Sequence, residues 1–295
     1  MTFEWSMVRT SDGRDLEVMT AGPADAFPFV YITGSPTAIA EDPAMATASA
    51  ERGWRLVGYS RPGFGDSTRQ PGRTVADAAT DVATILDTLG HDRFVVLGWS
   101  GGGPHALACA ALLPERCAAA ATLAGVAPWD AEGLDWGAGM GAENVDEYTL
   151  AATHPEKLWD VIEPQAPTLA GVTGPQVAEM LSGLTDEVDR AALTGEFAEV
   201  SASNFRRAVI NGVGGWHDDD LAFTRPWGFD LAAITVPVSV WQGAHDLMVP
   251  FAHGEWLAAT IPTAKAHLYP DEGHLSLAAQ MPRILADLSE RGGGV

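Results

Sequence analysis

Phe94-Val-Val-Leu-Gly-Trp-Ser-Gly-Gly-Gly-Pro104 is the stretch that decides how the chain folds. Its first four residues are apolar whichever face they meet, the pattern of a strand buried on both sides. Gly98-Trp99-Ser100-Gly101-Gly102 follows, and Pro104–Leu113 reads as a helix. So sharp a strand-to-helix turn drives its central residue toward a backbone region that side chains tolerate poorly. The flanking glycines remove the Cβ atoms that would collide there. Ser100 Oγ is then lifted above the sheet, and the N–H groups opening the helix face any negative charge that develops beside it. No other Gly-x-Ser-x-Gly occurs in the sequence.

The same texture extends in both directions. Phe29-Val-Tyr-Ile32 runs into Thr33-Gly-Ser-Pro36, and Trp54–Tyr59 runs into Ser60-Arg-Pro-Gly-Phe-Gly-Asp66. Between them and the Phe94 strand, Val75, Ala78, Ala79, Val82, Ile85, Leu86 and Leu89 recur at helical spacing. Apolar strands separated by amphipathic helices predict a parallel sheet covered on both faces. Phe3–Thr10 and Asp15–Ala21, joined through Ser11-Asp-Gly-Arg14, predict an antiparallel hairpin at its edge. From Pro128 to Pro226 the texture changes to helical stretches, at Val145–Leu150, Gln176–Leu184 and Glu187–Asn211. Strands then return at Val236–Trp241 and Ala266–Tyr269, with helices near Phe251–Thr260 and Leu275–Leu288. Two strands are too few for a second sheet, so the pattern predicts one α/β unit, 1–127 with 227–295, interrupted by a helical insertion at 128–226.

Composition narrows the function. Seventeen Lys and Arg stand against 39 Asp and Glu, a formal charge of −22, with no basic stripe. A phosphate backbone would repel such a surface, which excludes nucleic acid as a partner. No window approaches the ~18 consecutive apolar residues of a membrane span. The opening Met-Thr-Phe-Glu-Trp-Ser lacks the basic and apolar regions of a secretory signal. Cys109 and Cys117, both in an Ala/Leu-rich stretch, read as buried small hydrophobes. The expected setting is cytoplasmic, as a monomer or homodimer.

A serine hydroxyl needs a base before it can attack. Of eight histidines, His274 lies in Asp271-Glu-Gly-His274, a loop after the last expected strand, and such loops converge at the carboxyl edge of a parallel sheet. His267 lies inside that strand, His105 on the helix after Ser100, and His91 at the opposite end of the sheet. The orienting carboxylate is expected from Gln242-Gly-Ala-His-Asp246, directly after another strand, with Asp130 the next candidate. Ser100, Asp246 and His274 then follow the order of nucleophile-elbow enzymes. His245 shapes the loop rather than acting in the reaction.

Taken together, Thr33-Gly-Ser-Pro36, Tyr59–Ser67, the elbow, Gly243–Pro250 and Gly273-His274 resemble the α/β-hydrolase superfamily in its capped branch. The resemblance implies an α/β-hydrolase fold: an eight-stranded, mostly parallel sheet with helices on both faces and an inserted helical cap at 128–226. It implies an oxyanion hole built from the N–H groups of Gly101 and Ser35. Thr33 departs from the pattern, since relatives usually carry His there. The implied activity is hydrolysis of a small or medium apolar ester, thioester or related acyl compound, with no cofactor and no metal. The same scaffold also accommodates C–C bond hydrolysis, lyase or cyclase chemistry, an iminopeptidase, a cofactor-free haloperoxidase, or a non-catalytic receptor. Ser at the elbow speaks against dehalogenase and epoxide hydrolase chemistry, where relatives use Asp. Gly101 after the serine, where the iminopeptidase branch carries Trp, lowers the peptidase reading.

Two features have plainer readings. Trp216-His-Asp-Asp-Asp220 is expected to be a helix N-terminus before Leu221 rather than a metal cluster. Among ten tryptophans, Trp99 adjoins the elbow, while Trp129, Trp136, Trp159, Trp216 and Trp227 lie in or beside the insertion. They serve either packing or an aromatic acyl pocket, for which Gly34, Trp99, Trp129 and Trp216 are the candidate lining residues.

Overall fold

The structure, a computed structural model, describes residues 2–295. Strands β1 (Phe3–Arg9) and β2 (Asp15–Ala21) form the expected antiparallel hairpin. They continue into β3 (Phe27–Ile32), β4 (Trp54–Tyr59), β5 (Phe94–Trp99), β6 (Cys117–Leu123), β7 (Val238–Gly243) and β8 (Ala264–Tyr269). These make one eight-stranded sheet in the order β1-β2-β4-β3-β5-β6-β7-β8. Every pairing from β4 to β8 is parallel, and β2 alone runs against its neighbours.

Successive side chains of a strand point to opposite faces, so an all-apolar strand feeds two cores. Val30, Ile32, Val57, Tyr59 and Val96 pack with α2 (Asp77–Leu89), α3 (Gly102–Leu112) and α11 (Phe251–Thr260). Phe29, Tyr31, Leu56, Val95 and Leu97 pack on the other face with α1 (Pro43–Ala50) and α12 (Met281–Arg291). Each buried Val, Leu or Phe contributes roughly 1.5–3 kcal/mol, which explains why register is not free to slip. From β3 the chain crosses one way to β4, whereas β5 lies on β3's other side. That reversal opens a crevice beyond the carboxyl ends of β3 and β5.

Between β6 and β7 the chain is helical: α4 (Ala142–Thr153), α5 (Pro155–Ile162), α6 (Ala166–Gly171), α7 (Gly174–Met180), α8 (Glu187–Ala192), α9 (Gly195–Ala208) and α10 (Gly214–Phe223). The stretch expected as one helix over Glu187–Asn211 is two, because Gly195 takes a positive φ of 55° and Thr194 is extended. The helix expected at Leu275–Leu288 instead opens as a 3-10 turn over Ser276–Gln280. Pro282 lacks a backbone N–H and sits at the start of α12, where that N–H is not needed.

Part of the inserted segment has its own apolar clusters, one around Leu158, Ile162 and Trp216 and one around Val177 and Leu193. Its two ends do not. Trp136, Met140, Tyr148, Ala222 and Phe223 belong to the same cluster as α2 and α3. Trp216-His-Asp-Asp-Asp220 does not open a helix. It lies inside α10, and Asp218, Asp219 and Asp220 are all buried. Arginines from elsewhere in the chain compensate two of those charges, which a reading of local dipoles could not foresee.

Candidate active site

Ser100 has φ 54°, in the left-handed region that ordinarily costs a residue with a Cβ about 1–2 kcal/mol. Close packing holds it there. A Cβ at Gly98 would overlap the Gly102 carbonyl, and one at Gly102 would overlap the carbonyls of Ile32 and Thr33. A Cβ at Gly103 would lie 2.8 Å from Gly125 Cα. Ser100 N–H donates to the Leu123 carbonyl at 2.7 Å, fastening the elbow to the end of β6. Gly34 packs tightly against the elbow too, since a Cβ there would come within 3.1 Å of Ser100 Cβ.

The two candidate oxyanion donors are aimed by their own peptide planes. In a trans peptide the C=O and the following N–H point in opposite directions. Gly103 N–H donates to the Ser100 carbonyl at 2.8 Å, which turns the Gly101 N–H outward. The Gly34 carbonyl accepts from Arg61 Nη2 at 2.6 Å and from Thr37 Oγ1 at 2.7 Å, which turns the Ser35 N–H the other way. Neither N–H donates to a backbone oxygen among the described residues. Ser35 and Gly101 face each other closely enough that a Cβ on Gly101 would sit 3.1 Å from Ser35 Cβ.

Arg61 does for this loop what no sequence motif announced. It is almost wholly buried and also donates to the Thr33 carbonyl. Its charge is balanced by Asp219 of α10 at 2.6 Å, which pairs as well with Arg73 at 2.7 Å. Burial alone would raise the Asp219 pKa, but the two guanidiniums hold it well below the usual carboxylate range. His105 lies in the same cluster, its pKa pushed down to about 3 by burial and by Arg61. It is therefore neutral, and its Nδ1–H donates to the Gly101 carbonyl at 2.8 Å. The histidine that follows the elbow thus buttresses it from behind and takes no part on the cavity side.

On the other side of the crevice, His274 Nδ1 meets Asp246 Oδ2 at 2.8 Å, with both residues buried. Asp246 is itself fixed. Its Oδ1 accepts from the N–H groups of Met248 at 2.9 Å and Val249 at 2.7 Å, and its Oδ2 accepts from Gln242 Nε2 at 2.9 Å. Burial lowers the His274 pKa, but the charge and hydrogen bond of Asp246, with a further contribution from Asp189, outweigh it and leave the ring above its ordinary value. Asp189 belongs to α8, and its carboxylate accepts from the backbone N–H groups of His274, Leu275 and Ser276.

Ser100 and His274 open onto one cavity of about 100 Å³. Most of its wall is apolar: Leu181, Leu193, Phe197, Phe205, Met248 and Leu275. Phe197 stacks on Trp99 with ring centroids 6.0 Å apart. Gly34 and Trp99, two of the four candidate lining residues, border the cavity, as does Ser35. Trp129 and Trp216 do not. Trp129 is spent on Trp136, 4.9 Å away, and Trp216 is buried among the inserted helices with its Nε1–H donating to Glu147. Besides Trp99 and Tyr31, the aromatic wall comes from Phe197 and Phe205 of α9, whose helical spacing reads only as an amphipathic face.

The remaining candidates lie elsewhere. Asp130 borders a separate surface hollow. His267 stacks on Trp241 at 3.7 Å, and His245 contacts Asp186 Oδ2 at 2.7 Å. Asp189 and Asp219 were missed from sequence because an acid in a helix carries no mark of what it will face.

The family model described as alpha/beta hydrolase fold matches residues 28–278. The chain is similar to the non-heme chloroperoxidase of Streptomyces lividans, at 29% identity over 83% of each chain. It is also similar to the bifunctional esterase/perhydrolase of Acinetobacter calcoaceticus, at 26% identity over 95% of this chain and 97% of the relative. Among solved structures, an alpha/beta hydrolase fold protein from Nakamurella multipartita superposes with a TM-score of 0.64 at 28% identity, covering 98% of this chain and 100% of the other.

Proposed function

The chain belongs to the α/β-hydrolase fold family and is a hydrolytic enzyme, and from that premise we propose that it is a serine hydrolase of small or medium apolar esters or thioesters. One observation carries the reading. A serine held at φ 54° shares a cavity with a histidine bonded to a buried carboxylate, beside two outward-turned N–H groups. Ser100 Oγ attacks the acyl carbonyl while His274 takes its proton, and Asp246 holds the ring and stabilises its cation. The Gly101 and Ser35 N–H groups receive the negative charge on the carbonyl oxygen, each worth about 2.7–4 kcal/mol of barrier. His274 returns its proton to the departing alcohol or thiol, and water, deprotonated by the same ring, releases the acid. The apolar wall supports an apolar acyl group. Residues 128–226 act as the lid, since α9 with Leu181 and Leu193 supplies much of that wall.

An acyl-enzyme of this kind can also pass its acyl group to hydrogen peroxide, giving a peracid and the free serine; the Acinetobacter relative is named an esterase/perhydrolase. Hydrolysis of p-nitrophenyl acetate, butyrate and octanoate tests the main reading. Ser100→Ala should lose at least ~10³-fold in kcat, and a fluorophosphonate should label Ser100 alone. Wild-type rates in that variant would sink the assignment. With the His274 pKa raised, the acid limb of kcat/KM is expected above about 6.5, the ordinary histidine value.

A further inference from the structure

We propose that Asp189, on the inserted segment, is a positioning residue for His274, setting both its backbone and its charge; this rests on His274 being the base. Asp189 is fully buried, in the first turn of the short helix α8. Its Oδ2 accepts the His274 N–H at 2.9 Å, and its Oδ1 accepts those of Leu275 at 2.7 Å and Ser276 at 2.9 Å. Three consecutive amides are thus gripped by one side chain from 85 residues away in the chain. Gly273 is explained by the same contact, because a Cβ there would overlap the Asp189 carboxylate.

No Lys, Arg or His lies within ion-pair distance of Asp189 among the described residues. Hydrogen bonds satisfy its oxygens but do not cancel its charge. In a dry site an uncancelled charge acts over several ångströms. The charged groups that bear on the His274 ring are Asp246, from the loop after β7, and Asp189, from α8. Both favour the imidazolium that forms during acyl transfer. A second tie runs alongside, where Asp186, the N-cap of α8, meets His245 in the Asp246 loop. Leu181 and Leu193, on either side of α8, line the cavity, so an acyl group pressing on this wall presses on the element that holds the base.

The test is steady-state kinetics across pH for Asp189→Asn and Asp189→Glu, with Ser100→Ala in parallel. Asn removes the charge and offers an NH₂ to the His274 N–H, so kcat should fall ~10- to 100-fold, with KM changed far less. With the negative charge gone the imidazolium is less stable, and the acid limb of kcat/KM should move to lower pH. Glu keeps the charge on an arm that Gly273 cannot fully accommodate. It should lose rate yet keep the wild-type acid limb, and it still decides the matter if the Asn variant does not fold. An unchanged acid limb in Asp189→Asn, an acid limb in Asp189→Glu displaced like that of Asn, or wild-type kcat in either variant would overturn the proposal. Ser100→Ala separates the two readings. Activity surviving there defeats the triad itself, whereas its loss beside a wild-type Asp189→Asn defeats only the role of Asp189.

Discussion

The elbow between β5 and α3 and the inserted segment from α4 to α10 both shape the site, but by opposite means. The elbow works through the absence of side chains: Gly98, Gly102 and Gly103 let three backbone segments touch and hold Ser100 at a positive φ. The inserted segment works through two buried carboxylates. Asp219 anchors Arg61, which holds the Gly34 carbonyl, and Asp189 grips the amides that carry His274. Each half of the site beneath the cavity is therefore tied to a charge delivered from this segment. Close packing gives the elbow its precision, whereas the segment's contribution depends on charges finding partners far along the chain. The difference teaches that a helical insertion can frame a candidate site through buried charge, where the elbow does so through close packing.

That contrast can be broken at several points. Loss of the Ser100 hydroxyl should have the largest effect, as set out above. Next comes Asp219→Asn, which strips the counter-charge from Arg61 and Arg73. Removing one partner of a buried ion pair typically costs roughly 3–5 kcal/mol, so chemical denaturation should show a marked fall in stability. Residual activity should be low because the Gly34–Ser35 peptide loses its restraint. Unchanged stability would mean the cluster is solvated and the ion pairs incidental.

A smaller effect, of opposite sign, is expected at the neighbouring acid. Burial, reinforced by the charge of Glu147, holds the Asp220 carboxyl well above its usual range. A group whose pKa is raised on folding contributes its full stability below the unfolded value. That contribution is lost as pH rises from about 4, the ordinary carboxylate value, toward the folded one. Asp220→Asn should therefore flatten the decline in stability between pH 5 and pH 8 in urea titrations. A wild-type slope would show that Asp220 does not hold a proton. The mildest contrast concerns the cavity wall. Phe197→Ala should lower kcat/KM for octanoyl over acetyl esters by about 10-fold, the scale of a lost apolar contact. Trp129→Phe, at a ring occupied in packing against Trp136, should leave that preference alone.

Much of the sheet side was legible. Every strand but β6, the edge hairpin, the elbow and the approach of Asp246 to His274 follow from apolar runs and glycine-bearing turns at their ends. Inside the inserted segment legibility fell away. The break at Gly195, the fate of Trp129 and Trp216, and the burial of the three acids at 218–220 all depended on neighbours distant in sequence. Trp216 and Phe197 show why. Both are large aromatics on helices, and only the packing of those helices decides that one meets Glu147 while the other stacks on Trp99.

The sequence by itself determined what is local: a buried strand, a turn only glycine allows, and the order in which serine, acid and histidine arrive at one edge of a parallel sheet. Those features are steric, and sterics act between residues a few positions apart. Tertiary structure alone decided which acids matter. Asp219 reaches Arg61 across 158 positions and Asp189 reaches His274 across 85. In water each would be one carboxylate among 39 acidic residues, adding only to a charge of −22. Once buried, a charge must be matched by partners within hydrogen-bond reach, and only the folded chain determines which groups those are.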